Sequence, residues 1–201
     1  MLFRSWYNPG DNQQFLEAIV IGTTAYFGSG NGGGVHVVDL NNPSAPSLIA
    51  TINQNNGAGF SSIHEMLVFD QGGRRFLIEN YNGFSDKRLK IIDVTNPSSA
   101  VLVREINPTD PQWVHAMHIR GSRLFTSGWG TSTSRGRTEI YDISNLLNQA
   151  PTLLGFIEDA SASVTAGNNM HSSWTSDDGR YLYSAREVTQ SNGSSPGDVR
   201  V

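Results

Sequence analysis

The sequence predicts an all-β protein, a β-propeller of four-stranded antiparallel blades, and two repeated segments lead to that prediction. The first is an apolar strand ending in Asp, a turn and a second apolar strand, with Asp39, Asp93 and Asp142 spaced by 54 and 49 residues. The second is a hairpin whose turn contains a glycine, as tight turns require. Its glycines are Gly22, Gly73, Gly121 and Gly179. Together the segments make a four-stranded unit that repeats about every fifty residues, which is typical of propeller blades.

The repeat predicts about four blades in a single domain spanning 1–201, and we name the strands of each blade A to D. Apolar residues are spaced by two or run continuously, so no amphipathic helix is expected. Because the chain begins and ends inside a blade, we favour a fragment of a larger propeller over a closed four-bladed ring. The predicted blades are 15–52, 63–107, 114–158 and 170–201, with 2–8 as an outer strand of a neighbouring blade. Strands A to D of the second blade are 63–69, 75–81, 88–94 and 100–106.

The copies VVDLNNPSAPSLI and IIDVTNPSSAVLV resemble the LVIVD-repeat propeller family, and HSSWTSDDGRYLYSARE is similar to an element of its choice-of-anchor B branch. The third copy, ISNLLNQAP, lacks the Asn-Pro of the other two. The resemblance implies a propeller fold in a bacterial protein. It also implies an extracytoplasmic location, which would be secreted, periplasmic or on the cell surface. It implies no particular activity, because most members of that family have no assigned function.

Composition excludes several classes of function. Charged residues make up 16% of the chain and the net charge is −4, so nucleic acid and anionic membranes are not expected partners. No apolar run is long enough to insert into a membrane, and the first residues do not show the pattern of a signal peptide. The absence of cysteine excludes disulfides and thiol nucleophiles. Hydrolase and phosphate-binding motifs are also missing, which favours a non-enzymatic module.

The long polar loops are the B–C and D–A connections, which lie at one end of a propeller. Loops on a rigid β-scaffold are where binding usually resides, so this end is predicted to bind a protein or glycan partner. Aromatic side chains there could stack on a sugar or a peptide. The candidates for this loop face are Tyr81, Phe84, Trp129 and Arg186.

His64, His115 and His171 occupy one repeated position at the beginning of strand A, where the first blade has Leu16. Equivalent positions in successive blades are predicted to ring the mouth of the channel. Three imidazoles could ligate a divalent transition metal, and the alternative function is therefore a metal-dependent oxidoreductase or hydrolase. The neighbouring carboxylates are Glu17 and Glu65. Adjacent residues of a strand point to opposite faces, so these carboxylates are not expected to share the direction of the histidines. Because a repeated histidine of a propeller blade often hydrogen-bonds between strands and organises a turn, we favour structural or channel-lining histidines and no cofactor.

Other polar residues are given structural interpretations. The aspartates before the turns are predicted to accept backbone N–H groups in Asx-turns, in preference to binding calcium. His118 is interpreted as an incidental, half-buried residue. One further repeated position, three residues before each of these aspartates, is interpreted as polar and outward-facing. It is occupied by His36, Lys90, Glu139 and, in the last blade, Arg200.

Overall fold

The computed structural model describes residues 14–56, 58–81, 83, 85–109, 113–130, 133–158, 169–187 and 199–201. In these residues the fold is all-β, with short 3₁₀ turns at Gln54–Asn56 and Pro97–Ser99. No helix in this part of the chain is long and apolar enough to span a membrane. The described residues belong to two compact units, one comprising 14–83 and Leu89–Arg104, the other 85–88 and 105–201.

The first unit contains a sheet of strands β1 to β4 and most of a second sheet, β5 to β8. Neighbouring strands in each sheet are also neighbours in sequence, as in the predicted blades. The first sheet consists of β1 (Phe15–Ile21), β2 (Thr24–Ser29), β3 (Val35–Asp39) and β4 (Ser47–Ile52). The second consists of β5 (Ile63–Gln71), β6 (Arg74–Tyr81), β7 (Leu89–Asp93) and β8 (Val101–Ile106). These bounds agree within two residues with the predicted strands of the second blade.

Side chains of both sheets form the hydrophobic core of the first unit. Every residue of β7 is buried, which explains why its apolar residues run continuously rather than alternating with polar ones. The core includes Tyr26, Val35, Val37, Ile52, Phe60, Ile63, Met66, Leu77 and Ile92.

The second unit contains a four-stranded group followed by three more strands. The first group is β9 (Trp113–Arg120), β10 (Arg123–Trp129), β11 (Arg137–Asp142) and β12 (Thr152–Glu158). The second is β13 (Asn169–Thr175), β14 (Leu182–Glu187) and β15 (Val199–Arg200). All pairings are antiparallel, and one bridge between Trp129 and Asn169 joins the two groups. The antiparallel sheets are consistent with propeller blades, while residues 2–8 lie outside the described part of the chain.

The repeated turns confirm two of the sequence predictions. The hairpin glycines adopt positive φ, at 61° for Gly22, 78° for Gly73, 55° for Gly121 and 72° for Gly179. Each repeated aspartate accepts the backbone N–H two residues later at its Oδ1. The distances are 2.8 Å for Asp39 with Asn41, 2.9 Å for Asp93 with Thr95, and 2.8 Å for Asp142 with Ser144. These are the Asx-turns that the sequence predicted.

The prediction that the position three residues before these aspartates faces outward is wrong. His36, Lys90 and Glu139 are 1%, 2% and 0% exposed. Two of the three have an ionic partner inside the blade. Lys90 Nζ lies 3.8 Å from Glu79 Oε1 on the adjacent strand, and Arg137 Nη2 lies 2.7 Å from Glu139 Oε1. His36 instead meets the Phe15 ring edge-on, with centroids 5.4 Å apart. A polar residue in an apolar strand is thus buried here against a partner and does not face solvent.

Candidate functional site

The repeated position of Leu16, His64, His115 and His171 coincides with a β-bulge in the first strand of each blade. In β9, Val114 and Ala116 are opposite Gly128 and Ser127, so His115 is the extra residue. The same shift occurs between Phe15 and Glu17, between Ile63 and Met66, and between Met170 and Ser172. A bulge redirects the side chains of its strand and is common next to functional sites.

The bulges also change which residues of a strand share a face. In a regular strand, residues three apart point to opposite faces, yet His115 and His118 of β9 both contact β13. The His115 and His171 ring centroids are 4.1 Å apart, and those of His118 and Trp174 are 5.0 Å apart. Two residues of β9, His115 and His118, therefore contact two residues of β13 that have the same spacing, His171 and Trp174. This contact accounts for the spacing of His171 and Trp174 in the HSSW motif.

His115 and His171 belong to a compact set of aromatic rings, here named the Trp–His cluster, together with Trp113 and Trp129. The His115 ring stacks on Trp129, with centroids 5.6 Å apart and planes 10° apart. Trp113 meets both rings edge-on, at 5.2 Å from His115 and 5.0 Å from Trp129. Trp113 is buried, while the other three members are half-buried. The cluster thus has a rigid base and a partly accessible surface, beside the loop that follows β10.

The remaining sequence candidates lie elsewhere. His64 and Glu65 sit in the bulge of β5, in the first unit, where the Glu65 backbone N–H donates to Asn80 Oδ1 at 2.5 Å. The Glu17 carboxylate accepts the N–H of the next residue at 3.1 Å. Tyr81 and Arg186 are half-buried at their strand ends, and Phe84 lies outside the described residues.

Among the described residues, no group of three or more His, Asp or Glu side chains is arranged to hold a metal ion. The contact that brings His115 and His171 together is a ring contact with a tilt of 38°. The alternative prediction of a metal-dependent enzyme is therefore not favoured over the binding module.

His118 differs from the half-buried residue that the sequence suggested, because it is only 2% exposed. Its ring is stacked on Phe125, with centroids 4.4 Å apart, and faces Trp174 on β13. Burial between these rings lowers the pKa of His118 to about 4, because the charged imidazolium would lose its hydration. His118 is accordingly a neutral packing residue at physiological pH.

Trp113 is the member of the Trp–His cluster that the sequence analysis did not single out. It precedes His115 by two residues on the same strand. The sequence signal for Trp113 was its position at the start of the strand, two residues before His115. Residues two apart in a regular strand point to the same face, so this spacing indicated that the two side chains could lie together. Its importance comes from its contact with Trp129 on the adjacent strand, and the two residues pair across β9 and β10.

A profile of the LVIVD repeat matches residues 20–54 and 79–108. The chain contains LVIVD repeats. This confirms the resemblance, and the family is one whose repeats form β-propellers. The matched LVIVD segments cover most of the first blade and, in the second blade, the end of β6 with all of β7 and β8. A search of curated proteins found no match.

Two solved structures are similar to this LVIVD-repeat chain. One is the computationally designed Ika4 protein, with a TM-score of 0.58, 10% identity, and coverage of 100% of this chain and 98% of that one. The other is the dihydro-heme d1 dehydrogenase NirN in complex with DHE, with a TM-score of 0.54 and 17% identity. That match covers 82% of this chain, which spans only 30% of NirN. Identities this low support the fold and carry no information about activity.

Proposed function

We propose that this LVIVD-repeat chain is a non-enzymatic propeller module, or part of a larger one, that binds a protein or glycan partner outside the cytoplasm. The Trp–His cluster is the observation that carries the proposal. Trp129 ends β10, directly before one of the long polar loops, and it is half-buried against His115 and Trp113. The extracytoplasmic location rests on the family resemblance, and fractionation of the native host would test it.

The cluster has the composition of a binding hot spot. Trp presents a large area at low cost in side-chain entropy, and its apolar ring stacks on sugar faces and on peptide side chains. The imidazole rings of His115 and His171 extend the aromatic surface beside Trp129. Stacking on His115 and the edge-on contact with Trp113 hold the Trp129 ring in place, so little conformational freedom is lost when a partner binds.

The proposal is tested by screening the purified chain on a glycan array and against a library of displayed peptides. We expect at least one binder whose affinity falls about thirtyfold in Trp129→Ala, the loss of a typical hot-spot residue. Trp174→Ala is the matched control, since Trp174 lies in the same unit, is 65% exposed and makes its ring contact with His118 outside the cluster. Circular dichroism and thermal unfolding would show that both variants remain folded.

Two outcomes would contradict the proposal. One is the absence of any saturable binder in both screens. The other is a binder whose affinity falls equally in Trp129→Ala and Trp174→Ala, because that pattern indicates non-specific adhesion to exposed aromatic rings.

A further inference from the structure

A cleft of about 530 Å³ opens in the first unit, between its two sheets and beside their short turns. One wall comes from β2 and β4, and the other from the β5–β6 hairpin and the turn after β7. A cleft of this volume lies in the range of small-molecule sites. It is lined by Thr24, Tyr26, Ile49, Asp70, Gly73, Arg74, Arg75, Val94, Thr95 and Pro97.

Arg75 is held rigidly at this cleft. Its Nε and Nη2 atoms donate to Oδ1 and Oδ2 of Asp70 at 2.8 and 3.0 Å, so the carboxylate occupies one edge of the guanidinium. The phenol of Tyr26, whose residue is 1% exposed, makes a further hydrogen bond to Arg75. A guanidinium has five N–H donors, and these contacts account for three of them. Arg75 therefore retains donors in a fixed orientation.

Arg74, the neighbouring residue, retains more of its donors. Its Nη1 donates to Asp93 Oδ2 at 2.6 Å, and its side chain is 52% exposed. Asp93 Oδ1 already accepts the N–H and the hydroxyl of Thr95, at 2.9 and 2.6 Å. Within the described residues, no other acceptor engages the Arg74 guanidinium, so most of its donors face solvent beside the cleft.

Two cations, Arg74 and Arg75, and one anion, Asp70, thus line the cleft, while Asp93, the partner of Arg74, is not among the lining residues. Each arginine has one carboxylate partner and keeps further donors on the cleft side. Ile49, Val94 and Pro97 supply an apolar wall, and Thr24 and Thr95 supply hydroxyl groups. Guanidinium donors match the planar or tetrahedral oxygens of carboxylate and phosphate groups. We propose that this cleft binds a small molecule that carries an oxyanion, a carboxylate or a phosphate, on a compact apolar body.

The site is independent of the Trp–His cluster. It uses residues of the first unit only, and its ligand is held by charge-assisted hydrogen bonds rather than by aromatic stacking. Failure of the binding-module proposal would therefore leave this inference standing, and the converse also holds.

The test is a titration of the purified chain with benzoate, phenyl phosphate and inorganic phosphate, followed by NMR through the Nε–H signals of the arginines. Benzyl alcohol serves as the uncharged probe. We expect saturable shifts of Arg74 and Arg75 with benzoate or phenyl phosphate, and the stronger of the two identifies the oxyanion. Inorganic phosphate is expected to bind more weakly because it has no apolar body, and benzyl alcohol is expected to leave both signals unchanged.

Two substitutions should change the affinity in opposite directions. Arg74→Gln removes charge-assisted donors and should weaken binding about tenfold or more. Asp70→Asn removes the negative charge of the one carboxylate that lines the cleft, keeps an amide oxygen that can accept from Arg75 and hold it in place, and should therefore tighten binding several-fold. Arg88→Gln is the matched control, since Arg88 is 45% exposed and paired with Asp86 but does not line the cleft. It changes the net charge as Arg74→Gln does, and it should leave the affinity unchanged.

Three results would overturn the inference. The first is no saturation by any anionic probe up to roughly 10 mM. The second is an equal loss of affinity in Arg74→Gln and Arg88→Gln, which would indicate a general charge effect. The third is weaker binding in Asp70→Asn while thermal unfolding shows that this variant is folded.

Discussion

Lys90 in the second blade and Glu139 in the third occupy the same repeated position, and both are buried, but they carry opposite charges. Glu139 takes its partners from its own strand and from the preceding loop. Its Oε1 accepts from Arg137 Nε at 2.9 Å and from the Thr109 hydroxyl at 2.7 Å, and its Oε2 accepts from the Tyr141 hydroxyl. Lys90 instead faces Glu79, its cross-strand neighbour on β6.

The comparison shows that the repeat maintains a contact between a loop and the buried residue, and does not maintain the sign of its charge. In both blades the D–A loop that leads into the blade lies against the buried residue. Thr109 of one loop donates to Glu139, and in the other loop a Cβ added to Gly59 would lie 3.6 Å from Lys90 Cε. The position is thus an attachment point for the incoming loop, and either charge serves if the blade supplies the counter-charge. Two predictions test this interpretation, and a third concerns His118, a buried residue at another position; the largest expected effect comes first.

Arg137→Met should destabilise the protein by about 3–5 kcal/mol, because it leaves the fully buried Glu139 carboxylate without its cation. Stability is measured by urea denaturation. Arg135→Met is the matched control, since Arg135 pairs with Glu158 at 3.6 Å with both side chains about one-third exposed. The loss there should be about 0–1 kcal/mol. Equal losses in the two variants would mean that the Arg137–Glu139 pair is not the anchor described above.

His118 provides the converse case in the same blade, a buried titratable group for which the described part of the chain supplies no counter-charge. Its pKa of about 4 in the folded protein lies below the 6.5 of an ordinary histidine, so the unfolded chain binds more protons between these values. Its contribution to the free energy of unfolding should therefore be complete above pH 6.5 and fall by up to about 3 kcal/mol as the pH drops to 4.

The pH effect is measured as the difference in unfolding free energy between the wild type and His118→Phe at several pH values. The variant keeps the stacking with Phe125 and Trp174 but removes the titration. A difference that does not change between pH 4 and 7 would show that His118 is not desolvated as the structure indicates.

Thr109→Val should cost about 1.5–3 kcal/mol, because it removes the hydroxyl that donates to Glu139 and accepts from Arg137, while the backbone N–H still donates to Glu139. Hydrogen exchange at the amides of Asn107 and residue 109 should become faster, since the loop loses part of its attachment. Thr152→Val, at an exposed strand start, is the control and should change neither quantity. Unchanged exchange in Thr109→Val would refute the attachment role.

The architecture was predictable because its signals are local. Alternating and continuous apolar runs indicated the strands, glycines that must adopt positive φ marked the hairpins, and the three aspartates marked the Asx-turns. The recurrence of these signals predicted the four-stranded repeat, and the resemblance of two copies pointed to the LVIVD family. The recurrence also predicted that one position of strand A would be equivalent in every blade, and the structure places His115 and His171 in contact there. The single-domain assignment and the ligands remain predictions.

The sequence by itself therefore determined the strands, the turns and the repeat, because each depends on the backbone preferences of a few adjacent residues. Tertiary structure decided the burial of Lys90 and Glu139, the neutral state of His118 and the membership of Trp113 in its cluster. It also decided the bulges that bring residues three apart onto one face. These features depend on partners from other strands and loops. The identity of a polar residue in a strand does not reveal whether its side chain is hydrated or is buried beside an opposite charge.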